Sequence, residues 1–212
     1  MNAPEDMKKI IHKSQHCQRN WDLSKEIPQE HVDTMLEAVT QCPSKQNKAF
    51  YKVHFITNRD VIEKVHAKTV GFGNYLTINE NTAKFEPKTN SQVLANLLVV
   101  FERYSEDKVQ QHPNPELKFD TEYANEKDTN TAVGIAAGYL NLTSSLLGYS
   151  TGCCGCFKEN EMKEVLGLDN EPLLLMGIGY PDPTQSRRIH HADPSFKFPT
   201  IKKTPIPVEV VK

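Results

Sequence analysis

Four short stretches of the chain carry residue types suited to chemistry. His16-Cys17-Gln18-Arg19 leads into Asn20-Trp21-Asp22. Arg19 there can donate charge-assisted hydrogen bonds to an oxygen-rich ligand, or pair with a nearby carboxylate as an ordinary surface arginine. Pro43-Ser44-Lys45-Gln46-Asn47 offers short neutral groups that suit a polar ligand edge and equally suit a loop. Arg187-Arg188 is the densest local positive charge in an anion-binding position, following the turn Gly179-Tyr180-Pro181-Asp182-Pro183. Two guanidinium groups can hold a phosphate through several parallel hydrogen bonds.

Cys153-Cys154-Gly155-Cys156 admits three readings: small residues packed closely against something flat, redox-active thiols, or a zinc site. Cys153 and Cys156 have C-x-x-C spacing, but they trail a glycine turn and do not open a thioredoxin-like helix. Zinc would need a second ligand pair, and Cys17 and Cys42 are lone residues far upstream. His190 and His191 likewise lack further ligands at a recognisable spacing, so no metal is expected. Neither a G-x-S-x-G elbow nor H-E-x-x-H occurs, and hydrolysis has no positive support.

Composition narrows the class. At 212 residues the chain reads as one domain spanning 1–212, long enough to need no disulfide or metal staple. Lys and Arg total 25 against 27 Asp and Glu, so no net positive field draws a nucleic acid or an anionic membrane. No apolar run reaches about 18 residues, which argues against a membrane span. The opening MNAPEDMKKIIHKSQ lacks the apolar stretch of a secretory signal. Five cysteines cannot all pair, and with that opening they predict a reducing, cytoplasmic setting.

The elements that must position these residues follow from periodicity. Residues 5–17 carry Met7, Ile10, Ile11 and Ser14 at helical spacing. Val32, Met35, Leu36 and Val39 mark one face of a helix from Pro28 to near Cys42-Pro43. Residues 51–57 and 97–101 predict strands, and 59–67 a helix. Residues 68–90 read as a loop or broken helix, and 103–128 as a polar excursion over the core, its sharper reading a mobile active-site cover.

Asp128 or Thr129 should cap a helix running to Leu147 and stopping at Gly148. Its apolar girth, with Val133, Ile135, Leu140, Leu142 and Leu146, suits an interior or a large interface. Gly134 and Gly138 cost about 1 kcal/mol each relative to alanine, which close approach of a helix or flat ligand can offset. The next stretch, YSTGCCGCF, is too glycine-rich for a long regular element. A helix at 158–166 ends at Gly167, and Pro172 precedes the buried strand LLLMGIG. The extension 181–212 holds six of the thirteen prolines and is either disordered or lies along its own body or a partner's, with 205–210 able to form an edge strand.

Taken in order, these segments resemble the nitroreductase (FMN-dependent NAD(P)H oxidoreductase) family over nearly the whole chain. Gln15-His16-Cys17-Gln18-Arg19-Asn20-Trp21 is similar to the family's R-R/H-S-x-R/K-x-F stretch. Pro43-Ser44-Lys45-Gln46-Asn47 is similar to its A-P-S-S-x-N-x-Q-P-W segment, with Tyr51 at the tryptophan position. The apolar helix, the turn through Gly155, and Gly177-Ile178-Gly179-Tyr180-Pro181 followed by arginines complete the order.

The resemblance implies an α+β nitroreductase-like fold: a mainly antiparallel sheet flanked by helices, a long apolar helix in a dimer core, and an extended C-terminal tail. It implies a homodimer with FMN at the subunit interface, NADH or NADPH as donor, and hydride transfer through flavin N5 to a small acceptor such as a nitroaromatic or quinone. By the same carry-over Arg19 sits at the N1/O2 edge and stabilises the reduced flavin, and His16 and Cys17 approach the ribityl-phosphate side. Ser44 and Asn47 come from the other subunit, Asn90 or Gln92 meets the N3/O4 edge, Gly155 and Cys156 lie near N5, and Arg187 and Arg188 hold the phosphate.

Gln15 and Cys17 depart from the family's arginine and serine, Cys156 from a frequent glycine, and Ala49-Phe50-Tyr51 from Q-P-W. Two other readings stand beside the oxidoreductase: a flavin-binding storage or sensing module with little turnover, and a thiol redox protein using Cys153 and Cys156.

Overall fold

The computed structural model describes residues 3–71, 73–79, 82–104, 122–199 and 201–211. Its centre is strand β4, Leu97–Arg103, whose run Leu97 to Phe101 is fully buried. Alternation explains why both faces are apolar: Leu97, Val99 and Phe101 join one core cluster, Leu98 and Val100 the other. Strand β1, Tyr51–Ile56, pairs antiparallel on one side, and β6, Pro172–Gly179, on the other. Strand β5, Ser150–Cys154, pairs antiparallel with β6 and completes the order β1-β4-β6-β5.

Helices cover both faces. On the first, α2 (Gln29–Thr40) buries Met35 and Val39 against α4 (Glu122–Leu146), which contributes Ala136 and Leu140. On the second, α3 (Arg59–His66) buries Ile62 and Val65, and α5 (Glu159–Leu166) buries Met162. Each fully buried side chain of this size stabilises the fold by about 1.5–3 kcal/mol. The N-terminal α1, Ala3–Ser14, has no buried residue. Asn58 caps α3 by accepting from the Val61 N–H at 3.2 Å, and α5 stops at Gly167, whose φ of +62° is the left-handed stop that favours glycine.

One buried carboxylate sits in the sheet. Glu102 accepts from the Asn170 N–H at 2.8 Å and lies 2.6 Å from His54 Nε2 and 3.5 Å from Lys52 Nζ. Burial alone would raise its pKa, but these partners together hold it below the usual carboxylate range.

Several expectations need correction. Residues 68–90 are not a loop or broken helix: β2 (Gly73–Asn79) and β3 (Thr82–Pro87) pair antiparallel, with a register shift between Thr77 and Asn79. Helix α4 begins at Glu122, ahead of the expected cap at Asp128 or Thr129, so the end of the polar excursion is helical. Residues 105–121, which carry the expected cover, lie outside the described residues. Within the glycine-rich stretch after Gly148, which holds no long element, Ser150–Cys154 form the short strand β5 and not a turn. In the tail, β7 (Ile189–His190) pairs with β8 (Asp193–Lys197), whereas 205–210 carries no strand within this chain. No described helix is long and apolar enough to cross a membrane.

Candidate functional site

The free side of β5 is where the chemistry-bearing segments meet. Cys17 forms a parallel bridge with Thr151, and the Gln18 N–H donates to the Thr151 carbonyl at 2.7 Å. A second bridge joins Trp21 to Pro181, and the Asp22 N–H donates to the Tyr180 carbonyl at 2.9 Å. Residues 17–22 therefore run along the sheet edge, linking β5 to the chain leaving β6. Trp21 is buried, and its Nε1–H donates to the Ser91 carbonyl at 2.9 Å, tying in the 3-10 turn Ser91–Val93.

Glycine makes this convergence possible. A Cβ on Gly152 would lie 2.7 Å from the Gln18 carbonyl oxygen and 2.9 Å from Gln92 Cβ. Gly177 on β6 has the Gln92 carbonyl pressed against it in the same way. The glycines that made the sequence look like a loop are surfaces on which other backbone lies.

Arg19 and Arg187 are brought together. The Arg187 guanidinium donates to the Cys17 carbonyl at 3.4 Å. Burial lowers the Arg19 pKa, the nearby Cys17 thiol opposes this, and the Arg187 charge lowers it further. Among the described residues neither arginine has a carboxylate partner, although Arg59 and Arg103 each do. The Arg19 guanidinium carbon instead lies 4.3 Å from the centroid of the Phe198 ring. Arg188 is exposed and donates to the Phe198 carbonyl at 3.2 Å, while the Phe198 N–H donates back to the Arg188 carbonyl at 2.7 Å.

Asn20, absent from the sequence-derived site, holds this arrangement. It is buried, and its Nδ2 donates to the carbonyls of Ser186 (2.7 Å) and Ile189 (2.9 Å), so it clamps the loop bearing both arginines. Among the described residues its Oδ1 is buried without a partner, as is Ser91 Oγ. Buried polar atoms left this way mark a place for a water or a ligand group. No local sequence signal could have singled out Asn20, because its partners are far along the chain.

The other expected residues divide. Asn90 and Gln92 are buried together: Asn90 Nδ2 donates to Gln92 Oε1 at 2.7 Å and to Cys154 Sγ at 3.2 Å. Gly155 and Cys156 are exposed; the Cys156 carbonyl accepts from the Val70 N–H at 2.8 Å, and a Cβ on Gly155 would meet open space. His16 is exposed beside the half-buried Cys17. Ser44 donates to the Lys48 carbonyl at 2.7 Å, and Gln46 and Asn47 both take φ of 55°, a left-handed conformation costly for residues with a Cβ. Among the described residues no hydrogen bond or ion pair joins that loop to Arg19 within this chain.

Two of the thiols, Cys153 and Cys154, are poorly prepared for exchange chemistry. Burial pushes the Cys154 thiol up to about 11. Cys153 presents surface as a residue, yet its sulfur lies against the protein near Cys17, and that enclosure pushes it up to about 12. At these two residues the thiolate, the reactive form, is therefore scarce at neutral pH. No cluster able to hold a metal ion occurs among the described residues. What the geometry offers is a half-buried pair of cations, with Asn20 next in the chain to Arg19, an arrangement suited to an anionic, oxygen-rich ligand.

Comparison with known proteins agrees with this architecture. Residues 13–180 match the Nitroreductase family model. A nitroreductase family protein from Clostridium novyi superposes with TM-score 0.61 at 18% identity, covering 86% of this chain and 89% of that one. An Exiguobacterium sibiricum protein described as a nitroreductase and solved in complex with FMN gives 0.64 at 15% identity, covering 93% of each chain. An FMN-dependent nitroreductase from Clostridium difficile gives 0.55 at 15%, covering 80% of this chain and 85% of that one. At these identities the structures speak to fold alone. No curated protein matches the sequence.

Proposed function

The chain belongs to the nitroreductase family, and from that premise we propose that it is an FMN-dependent oxidoreductase. It takes an electron pair from NADH or NADPH and delivers it to a small organic acceptor such as a nitroaromatic or a quinone. The observation that carries this reading is the pairing of Arg19 with Arg187 without a carboxylate among the described residues. Two adjacent cations in a half-buried place repel each other, and an anionic cofactor removes that repulsion.

The residues present fit FMN. Arg187, with Arg188 beside it and His16 and Cys17 next along the edge, holds the phosphate. Arg19 would lie at the N1/O2 edge of the ring and favour its anionic reduced form. Asn90 and Gln92 line the polar side, Gly155 and Cys156 leave backbone open to the ring, and Asn20 Oδ1 and Ser91 Oγ are acceptors and donors still to be used. When bound, FMN supplies the two-electron carrier between nicotinamide and acceptor. The protein's share is binding, orientation and charge.

The site is completed in a homodimer, with Ser44 and Asn47 supplied across the interface. Helix α4 is prepared for this role: at Gly134 and Gly138 a Cβ would meet nothing within 4 Å, and Tyr139 and Leu146 are about half exposed. The tail adds Ile201, Ile206, Val208, Val210 and Val211, all at least 74% exposed. Apolar surface on this scale is better buried against a second copy.

Purified protein supplied with FMN should hold a flavin absorbance that bleaches anaerobically on adding NADH or NADPH and returns with the acceptor. Protein that stays colourless in excess FMN would overturn the reading. FMN uptake without bleaching would instead leave a storage or sensing module.

A further inference from the structure

The tail does more than carry the arginines. The hairpin of β7 and β8 ends in Phe198, whose ring is buried, although it lies in a proline-rich extension with no apolar period of its own. It is locked by the reciprocal backbone and side-chain hydrogen bonds with Arg188. Phe196 meets it edge-on, with ring centroids 5.4 Å apart at 84°, and His190 lies nearly parallel to it at 5.8 Å and 29°.

The state of His190 matters to this stack. Its Nδ1 accepts from the Ala192 N–H at 3.2 Å, and its Nε2 lies 3.3 Å from the Thr89 carbonyl, which can only accept. Those partners specify the neutral tautomer with the proton on Nε2. A neutral imidazole therefore accompanies the ring, and the guanidinium of Arg19 lies over its face 4.3 Å from the centroid.

We propose that Phe198 is a positioning residue for Arg19: its ring is the floor that orients the guanidinium toward the flavin and supports that charge in a half-buried place. This rests on the functional reading above. Water cannot solvate the covered face of Arg19, and the aromatic quadrupole replaces part of that solvation without offering a carboxylate that would quench the charge. A carboxylate at the same place would pair with Arg19 and remove its pull on an anionic ring. An aromatic floor leaves the positive charge available.

The test keeps shape constant while weakening the quadrupole. Phenylalanine at 198 is replaced site-specifically by its mono-, di- and trifluoro derivatives, with Phe198→Leu as the end point. In the cofactor-free protein, the Arg19 side-chain N–H resonance, assigned through Arg19→Lys, should lie upfield from the ring current and return toward its ordinary position in Phe198→Leu. FMN affinity should fall progressively along the series, by about three- to thirtyfold at the end point, and the midpoint potential of the bound flavin should move negative in step.

Normal FMN uptake with an unchanged affinity and potential across the fluorinated series would overturn the role of Phe198 and leave the functional reading intact. An unshifted Arg19 resonance in the wild-type protein would overturn it as well. A shifted Arg19 resonance in a protein that takes up no FMN would overturn the functional reading, and this role with it.

Discussion

Asn20 and Ser186 are joined by a 2.7 Å hydrogen bond that spans 166 positions of sequence, and a second bond from the same amide reaches Ile189. This amide fixes the loop that places Arg187 against the Cys17 carbonyl. Asn20→Ala should strand two carbonyls in a buried place, at about 1–3 kcal/mol. A lower denaturation midpoint together with looser FMN is the expected result. An unchanged midpoint would show that water replaces the amide.

Arg19→Gln and Arg187→Gln should separate stability from binding. Removing either charge relieves repulsion in the empty protein, so its unfolding free energy should hold or rise slightly. FMN affinity should fall roughly ten- to hundredfold, the scale of a lost charge-assisted hydrogen bond. Parallel urea titrations and FMN fluorescence titrations read the two effects. A fall in both stability and affinity would mean that the pair is structural.

Gly152→Ala should damage the site from behind. The new methyl would meet the Gln18 carbonyl at 2.7 Å, a backbone atom that cannot swing aside. Overpacking of this kind costs about 1–3 kcal/mol. FMN retention should drop, because the segments bearing Arg19 and Gln92 are both pushed away from β5.

Acid stability should carry a histidine signature. Burial first, then the neighbouring imidazoles and, for His66, Arg59, push His66 and His191 from 6.5 down to about 4. Lys88 and Asp193 face the same cluster through His190. Between those values the unfolded chain binds more protons than the folded one, so stability rises with pH across this window. It is fully present above 6.5 and is lost as pH falls toward 4. His66→Gln should flatten that slope in urea titrations at a series of pH values, and an equal slope would refute the assignment.

Ending the chain at Pro199 keeps Phe198 and both tail strands while removing Ile201, Ile206, Val208, Val210 and Val211. Sedimentation should show the dimer weakened, with FMN released in proportion. A stable dimer with full flavin occupancy would restrict the interface to α4.

Periodicity was a good guide where one face of an element is apolar along its length. Met35 and Val39 on α2, Ile62 and Val65 on α3, and the run from Leu97 to Phe101 announce their burial locally. Strand β5 was hidden because Gly152 serves close approach by Gln18 and Gln92, and a glycine in a strand reads like one in a turn. The start of α4 was hidden because Glu122 to Asp128 form a polar helical turn with no apolar stripe. At the site, the arginines were conspicuous by type, whereas Asn20 is fixed by partners more than 160 residues away and Phe198 meets Arg19 only across a similar span. Long-range contacts leave no local trace.

The bond from Arg187 to the Cys17 carbonyl spans 170 positions, and this has a consequence for biosynthesis. A nascent chain that has exposed Arg19 but not yet Arg187 holds only half of the cationic edge, and the tail hairpin emerges after all four strands of the central sheet. If these residues hold FMN as proposed, its capture needs both Arg19 and Arg187 to have emerged. On the proposed reading, a chain ended before Arg187 lacks the second half of that edge and should take up no FMN.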